Sequence, residues 1–496
     1  MAGCAKHHDY DNVKYAKQFS VLMNCLILNP PRRDNIVMVK EGRCMQRKGA
    51  WGYIMAPVTM VTIATLLRER GHTVNVMDCP ATSDTVHTML TNVRSFDPHI
   101  VFINTSTPTI EDDIYAAACI KEESPNSIAT VLFGIHPSCQ YKEILQAENG
   151  VDYCIIGEPE FAARDLVEAL AGGDKLHSTP GIAFLDDKEQ LVVTAPREPI
   201  KDLDDLPVPD WSFINTENYR LPLNNDKFLL VNTNRGCPYR CIFCNAYVYY
   251  GRTPRRHSAG RIMQELHNNV TRFGITNFMF WAEEFILDKN FVRELCQAII
   301  RSGLQIKWVC NSRVDAVDAE TLKAIKDAGC WNIAFGIESG DQNILNQINK
   351  QTSLEQISHA VTLAKKAGLQ VTGHVIIGFP ADTYATIATT SKFINSLNLD
   401  FVQYYCAMPY PGTQLYNDAV QNSWLSAADW SQWEHNSSVL DYPQLTAREI
   451  MKLRRRLMLR WYFTPKRIIN TLKNHIKRPS DIWALISKLY GFIRWM

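Results

Sequence analysis

Three cysteines in one short segment carry the clearest chemistry in the chain. Residues 234–246 read NRGCPYRCIFCNA, which sets Cys237, Cys241 and Cys244 at a C-x3-C-x2-C spacing directly behind the apolar run 228–232. A loop this short can fold three thiolates around one compact metal centre. A sealed [4Fe–4S] cube takes four protein ligands, so three leave one iron open to a substrate or cofactor, a catalytic arrangement. A structural zinc wants a nearby fourth Cys or His, and the closest, His257, is unsuitably spaced. Three buried cysteines on a loop, or a zinc knuckle borrowing a distant ligand, are the alternatives. Polar Arg235, Arg240 and Asn245 beside the thiols argue against a dry core.

The elements that must hold this loop come in two series. Between residues 19 and 175, short apolar runs at 20–28, 74–77, 100–104, 130–133 and 153–156 alternate with helical patterns such as 60–70. Strands that alternate with helices and end in small or polar residues predict a doubly wound, Rossmann-like parallel sheet. Ligands in such sheets sit beyond the strands' carboxyl ends, where this chain has Asn29, Asp78, Ser106, Gly134 with His136, and Gly157. Residues 176–222 read as a linker, with a small hairpin at 180–199 and the acidic, proline-broken stretch DLDDLPVPDW. From 223 to 445, strands are expected at 228–232, 277–281, 306–309, 332–336, 371–377 and 401–406, with helices between them. That is the pattern of a partial, TIM-like (β/α)6 barrel with its site at the strands' C-terminal mouth; an open doubly wound sheet has the same periodicity. Residues 446–496 form a helical, basic C-terminal region with interleaved aromatic residues.

Composition is that of ordinary globular protein, 46% hydrophobic and 21% charged with net charge +1, and does not call for a nucleic-acid partner. The polar first residues MAGCAKHHDYD and the 14 cysteines, scattered singly apart from the three above, fit a reducing cytoplasmic setting. No uninterrupted apolar stretch is long enough for a membrane span.

The cysteine segment, with Phe243 directly before the third cysteine, resembles the signature of the radical SAM superfamily. That resemblance implies a [4Fe–4S] cluster whose open iron binds the amino and carboxylate groups of S-adenosylmethionine (SAM). An electron from the cluster then breaks the sulfonium C–S bond to give a 5′-deoxyadenosyl radical. Further motifs follow in the family's order after successive strands: FWAEE, WVCNSR, FGIESG and VIIGFP. They imply that Glu283, chosen over Glu284, lies near the SAM amino group. Arg313 would fork onto the SAM carboxylate or else pair with Asp315. Glu338 would meet a ribose hydroxyl or the methionine end, and Gly378 belongs to an adenine-contacting turn.

The front domain resembles the cobalamin-binding domains fused to one class of these enzymes. Leu28-Asn29-Pro30-Pro31, Gly71-His72-Thr73-Val74 leading to Asp78, Gly134-Ile135-His136-Pro137 and Gly157-Glu158-Pro159-Glu160 carry that resemblance. It implies cobalamin approached by small residues at the strand ends, including Ser106. The D-x-H-x-x-G motif that ligates cobalt in many such domains is absent, so cobalt would lack that histidine; His136, next to Pro137, reads as a loop residue, with ligation of cobalt as the alternative. The block Glu41-Gly42-Arg43-Cys44 with Arg47 and Trp51, the runs WVCNSRVD and AMPYPGT, and the basic tail are similar to a subgroup of magnesium-protoporphyrin ester cyclases and hopanoid-modifying enzymes. This implies methylation, cyclisation or rearrangement of an unactivated carbon in a large, lipid-like substrate, with a reduced flavodoxin or ferredoxin-type electron donor. The basic tail either caps the barrel mouth or rests peripherally at the inner membrane face. Two other readings stay open: a radical SAM enzyme with a degenerate front domain, and a non-catalytic iron–sulfur or zinc protein.

Overall fold

The computed structural model describes residues 21–41, 45–47, 53–123, 128–147, 149–172, 175–221, 225–426, 429–465 and 467. Gly42, Arg43, Cys44, Trp51 and the basic region's residues 466 and 468–496, all within segments singled out above, lie outside the described residues.

The first sheet is built from β1 (Asn24–Asn29), β2 (Thr73–Asp78), β3 (Ile100–Asn104), β4 (Ala129–Phe133) and β5 (Tyr153–Ile155). They run parallel in the order β2-β1-β3-β4-β5. The winding direction reverses between β1 and β3, which makes the sheet doubly wound and opens a crevice at that point. Leu26, Ile27, Phe102, Ile103, Val131 and Leu132 are fully buried, as strands covered by helices on both faces require. Two features depart from expectation. The hairpin β6 (Ile182–Leu185) and β7 (Leu191–Val193) pairs antiparallel onto β5, so this sheet runs past the boundary placed at 175. The hairpin covers backbone groups that β5 would otherwise leave unpaired at the edge. Residues 135–146, read as a loop at Ile135–Ser138, form a helix with Pro137 in its first turn, where a missing N–H costs nothing.

The second sheet contains β8 (Phe228–Asn232), β9 (Asn277–Trp281), β10 (Lys307–Ser312), β11 (Cys330–Glu338), β12 (Gln370–Ile377) and β13 (Phe401–Cys406). All pair parallel and in chain order, with β8 and β13 as its edges. Sequential order without reversal is the mark of a partial barrel and settles the choice against a second doubly wound sheet. On β12, Val371, Gly373, Val375 and Ile377 are buried, whereas Thr372, His374 and Ile376 are half-buried and pair in register with Phe401, Gln403 and Tyr405 of β13.

The connecting helices start where their first residues dictate. Ser258, Asp288, Asp318, Ser353 and Thr383 each accept the backbone N–H three residues on, a cap that stabilises each helix by about 1 kcal/mol. Thr446 does the same for helix Ala447–Tyr462 of the basic region. That helix packs on β13: Arg454 is buried, its Nε donating to Tyr404 O at 2.7 Å and its Nη2 to Asn436 Oδ1 at 2.6 Å. Ile450, Leu457, Met458 and Trp461 are buried beside it, each worth about 1.5–3 kcal/mol, while Arg455, Arg456 and Arg460 stay exposed. Among the described residues no helix is long and apolar enough to cross a membrane.

Candidate active site between two sheet edges

The cysteine loop leaves β8 at the barrel mouth. Cys237, Cys241 and Cys244 are half-buried, whereas Cys25, Cys79, Cys154, Cys296, Cys310, Cys330 and Cys406 are buried. The loop is tethered on both sides: Ile242 N donates to Ile348 O, Asn349 Nδ2 to Arg240 O and Leu415 N to Ile242 O. Burial pushes the Cys241 thiol up, while Lys350 and Arg313 pull it down. Among the described residues no three His, Cys, Asp or Glu side chains surround a point where a single metal ion would sit. A cube asks for a looser arrangement, because each thiolate binds a different iron. The three partly open thiols with two cations near them fit such a group.

The strand ends beside the loop are densely paired. Glu338 has φ +62°, a left-handed backbone that a non-glycine residue adopts only under constraint. Its Oε1 accepts from Lys350 Nζ at 2.7 Å. A Cβ on Gly336 would stand 2.7 Å from that oxygen and 2.8 Å from that nitrogen, so the missing side chain makes room for the pair. Arg313 is clasped by Asp315 through two bonds of 2.9 Å, donates to Lys350 O, and lies 3.6 Å over the Tyr239 ring. Of the two roles open to Arg313, the Asp315 pair is the one in place, because a partner two residues away is reached without outside help. Glu284 is equally committed, accepting from Ser312 Oγ and Arg313 N at 2.7 Å each. Phe243 packs against Phe379 with ring centroids 5.3 Å apart. Gly378 has φ +87°, and its absent Cβ would meet Ile450 at 2.9 Å; its N–H donates to Asp382 Oδ2 and its carbonyl accepts from Tyr442.

Glu283 points elsewhere, into a cleft between the two units. The first sheet contributes Asn104, Thr105, Ser106, Gly134 and Ile135, the barrel Ala246, Tyr249, Tyr250 and Glu283, and the segment ahead of the first helix Lys40, Glu41 and Met45. Gly134, at φ +128°, has no room for a Cβ, which would fall 2.1 Å from Thr105 O. Lys40 is neutralised by Asp113 at 2.6 Å, and burial raises the Glu41 carboxyl to about 7. Lys40, Tyr249 and Tyr250 were missed at the sequence level, since nothing in their spacing marks them.

Four expected residues serve other partners. Asp78 accepts from Asn29 Nδ2 at 3.0 Å and from Tyr219 OH at 2.6 Å, so Asn29 and Asp78 hold the linker. His136 is buried edge-on to Trp430, 3.3 Å from Thr107 Oγ1, and does not line the cleft. Burial lowers its imidazole to about 3. Gly157 N donates to Ser138 Oγ and lies outside the cleft lining.

Comparison with known proteins explains this layout. Residues 231–394 match the radical SAM superfamily and residues 49–167 the B12 binding domain. An uncharacterised methyltransferase of Pyrococcus horikoshii is 30% identical over 454 residues, 92% of this chain and 95% of that protein. The chain belongs to the radical SAM superfamily. Within it, the anaerobic magnesium-protoporphyrin IX monomethyl ester cyclase of Rubrivivax gelatinosus is 28% identical over 371 residues, 73% of this chain and 66% of the cyclase. The radical SAM methyltransferase TsrM of Kitasatospora setae, solved with cobalamin and a [4Fe-4S] cluster, shares the fold. Its TM-score is 0.64 at 17% identity, over 82% of this chain and 76% of TsrM. With a radical SAM domain and a B12 binding domain in one chain, this enzyme uses a [4Fe–4S] cluster, SAM and cobalamin, takes a small-molecule substrate and needs a reductant. The chemistry of the cleft floor suits a flat corrin: its strand-end residues Thr105, Ser106 and Gly134 are small, and no imidazole lines it among the described residues. A degenerate front domain and a non-catalytic metal carrier are both disfavoured.

Proposed function

We propose that this radical SAM enzyme transfers a methyl group to an unactivated carbon of a small molecule held at the concave face of its barrel. One observation carries the reading: a single cleft is walled by the first sheet's strand ends on one side and by Tyr249, Tyr250 and Glu283 of the barrel on the other. When bound, cobalamin supplies a transferable methyl group, and SAM on the cluster supplies a radical. Cys237, Cys241 and Cys244 hold the cluster, and Glu283 orients SAM on the cleft side. The Lys350–Glu338 pair and Arg313 keep a fixed polar frame beside the thiols, so little reorganisation is needed when charge moves. The concave face mixes Ile376, Phe401 and Tyr405 with His374 and Gln403, a surface suited to a large, partly apolar substrate. A flavodoxin or ferredoxin-type protein in the cytoplasm delivers the electrons. Methyl transfer is favoured over cyclisation because the relative named a methyltransferase is matched along 95% of its length. Anaerobic protein reconstituted with iron, sulfide and cobalamin, then incubated with dithionite and SAM, should release S-adenosylhomocysteine together with 5′-deoxyadenosine. Release of 5′-deoxyadenosine alone would overturn methyl transfer in favour of oxidative or ring chemistry.

A further inference from the structure

Two arginines bracket the cysteine loop, and both plug into one turn of the front domain. Residues Asn234–Arg235 and Arg255–Arg256 form a short antiparallel ribbon in which Arg235 and Arg255 stand opposite each other. The segment between them carries all three thiols and the cleft tyrosines Tyr249 and Tyr250. Two like charges facing each other across a ribbon repel unless each finds an anion. Both anions come from Gly157-Glu158-Pro159-Glu160, directly after β5. Arg235 Nη2 and Nη1 reach Glu160 Oε1 and Oε2 at 2.5 and 3.1 Å. Arg255 Nη2 and Nη1 reach Glu158 Oε1 and Oε2 at 2.5 and 3.1 Å. All four side chains are buried, at 7% exposure or less.

The clasp extends into the cleft wall. Arg235 lies 5.0 Å over the Tyr250 ring, and Arg255 Nη2 donates to Tyr250 O at 2.6 Å. Further polar ties between the two units run through the linker, as Asp78 with Tyr219 and Asp210 with Arg68 and Arg272, or join helix 135–146 to the barrel, as Cys139 Sγ with Pro411 O and Gln140 Nε2 with Tyr416 OH. None of these bonds is made by residues 235–256, although helix 135–146 also packs against 246–250. Buried bidentate Arg–carboxylate pairs fix orientation as well as distance, and neither glutamate lines the cleft.

We propose that Glu158 and Glu160 are positioning residues, a double clasp that sets the cluster loop and Tyr250 at a fixed spacing from the strand ends of the B12-binding sheet. The acids of the Gly-Glu-Pro-Glu turn thus hold protein to protein, and the clasp couples radical formation to group transfer. Its second readout below rests on the methyl-transfer reading; its first does not.

The test uses full-length protein with cluster and cobalamin loaded, as wild type, Glu158→Gln and Glu160→Gln. Hydrogen–deuterium exchange in residues 236–256 should quicken by about tenfold in each variant, since a buried ion pair loses one partner, with residues 228–232 unchanged. The ratio of 5′-deoxyadenosine to S-adenosylhomocysteine should rise by about tenfold as cleavage uncouples from transfer. The reversed pair Glu160→Arg with Arg235→Glu should bring both values back toward wild type. Unchanged exchange in 236–256 overturns the clasp, and faster exchange with an unchanged ratio overturns its coupling role. If Glu160→Gln fails to fold, Arg255→Lys, which keeps charge but loses the fork, gives the same two readouts. Should wild type release no S-adenosylhomocysteine, the methyl-transfer reading falls while the exchange result still decides the clasp.

Discussion

Replacing Glu41 by Gln should make the protein more stable at pH 8 while leaving it little changed at pH 5. Glu41 is buried at the cleft, and desolvation raises its carboxyl to about 7 against an ordinary 4.5, although Oε1 accepts from Thr59 N and Oγ1. An acid whose folded pKa is raised contributes fully to stability below its unfolded value, and that contribution is lost as pH rises through the folded value. The loss amounts to about 1.4 kcal/mol for each pH unit between the two, roughly 3 kcal/mol in all. Glutamine keeps an oxygen to accept the Thr59 bonds and never ionises, so the variant lacks this slope. Urea denaturation of the anaerobic, cofactor-free protein at pH 5, 6, 7 and 8 measures it. The variant should gain about 2–3 kcal/mol over wild type between pH 5 and pH 8. A difference that stays constant across that range would refute the buried-carboxyl assignment.

Cys241→Ala should abolish SAM cleavage with the circular dichroism of the fold unchanged; full iron content and normal 5′-deoxyadenosine release would remove Cys241 from the ligand set. Glu283→Ala should weaken SAM binding in equilibrium dialysis while the cluster is retained, and unchanged affinity would exclude its role at SAM. Glu284→Ala should instead cost about 2–3 kcal/mol of stability in urea titration, because Ser312 and the Arg313 N–H lose a buried acceptor; an unaltered midpoint would contradict this. Gly378→Ala should lower stability by about 2–4 kcal/mol, from its positive φ and the Ile450 contact at 2.9 Å. Thermal melting equal to wild type would show that the helix Ala447–Tyr462 can yield there.

Local order determined much of this protein. Every barrel strand lies where an apolar run stands in the sequence, and each cap residue named above sits at a switch from loop to helical periodicity, because backbone sterics and one side-chain bond act within a few residues. The cysteine spacing likewise carried its chemistry unaided, since all three thiols share one loop. Partners far apart in the chain were decided only by tertiary structure. Asp78, read like Asn29 as a cofactor contact, is held by Asn29 and by Tyr219, 141 residues beyond Asp78. The glutamates of the Gly-Glu-Pro-Glu turn meet arginines 75 and 97 residues on. His136 is spent on Trp430, and Gly378 on Ile450. A strand end exposes the same polar residues whether a cofactor or a second domain will cover them, and desolvation and charge pairing are settled only when the covering surface arrives.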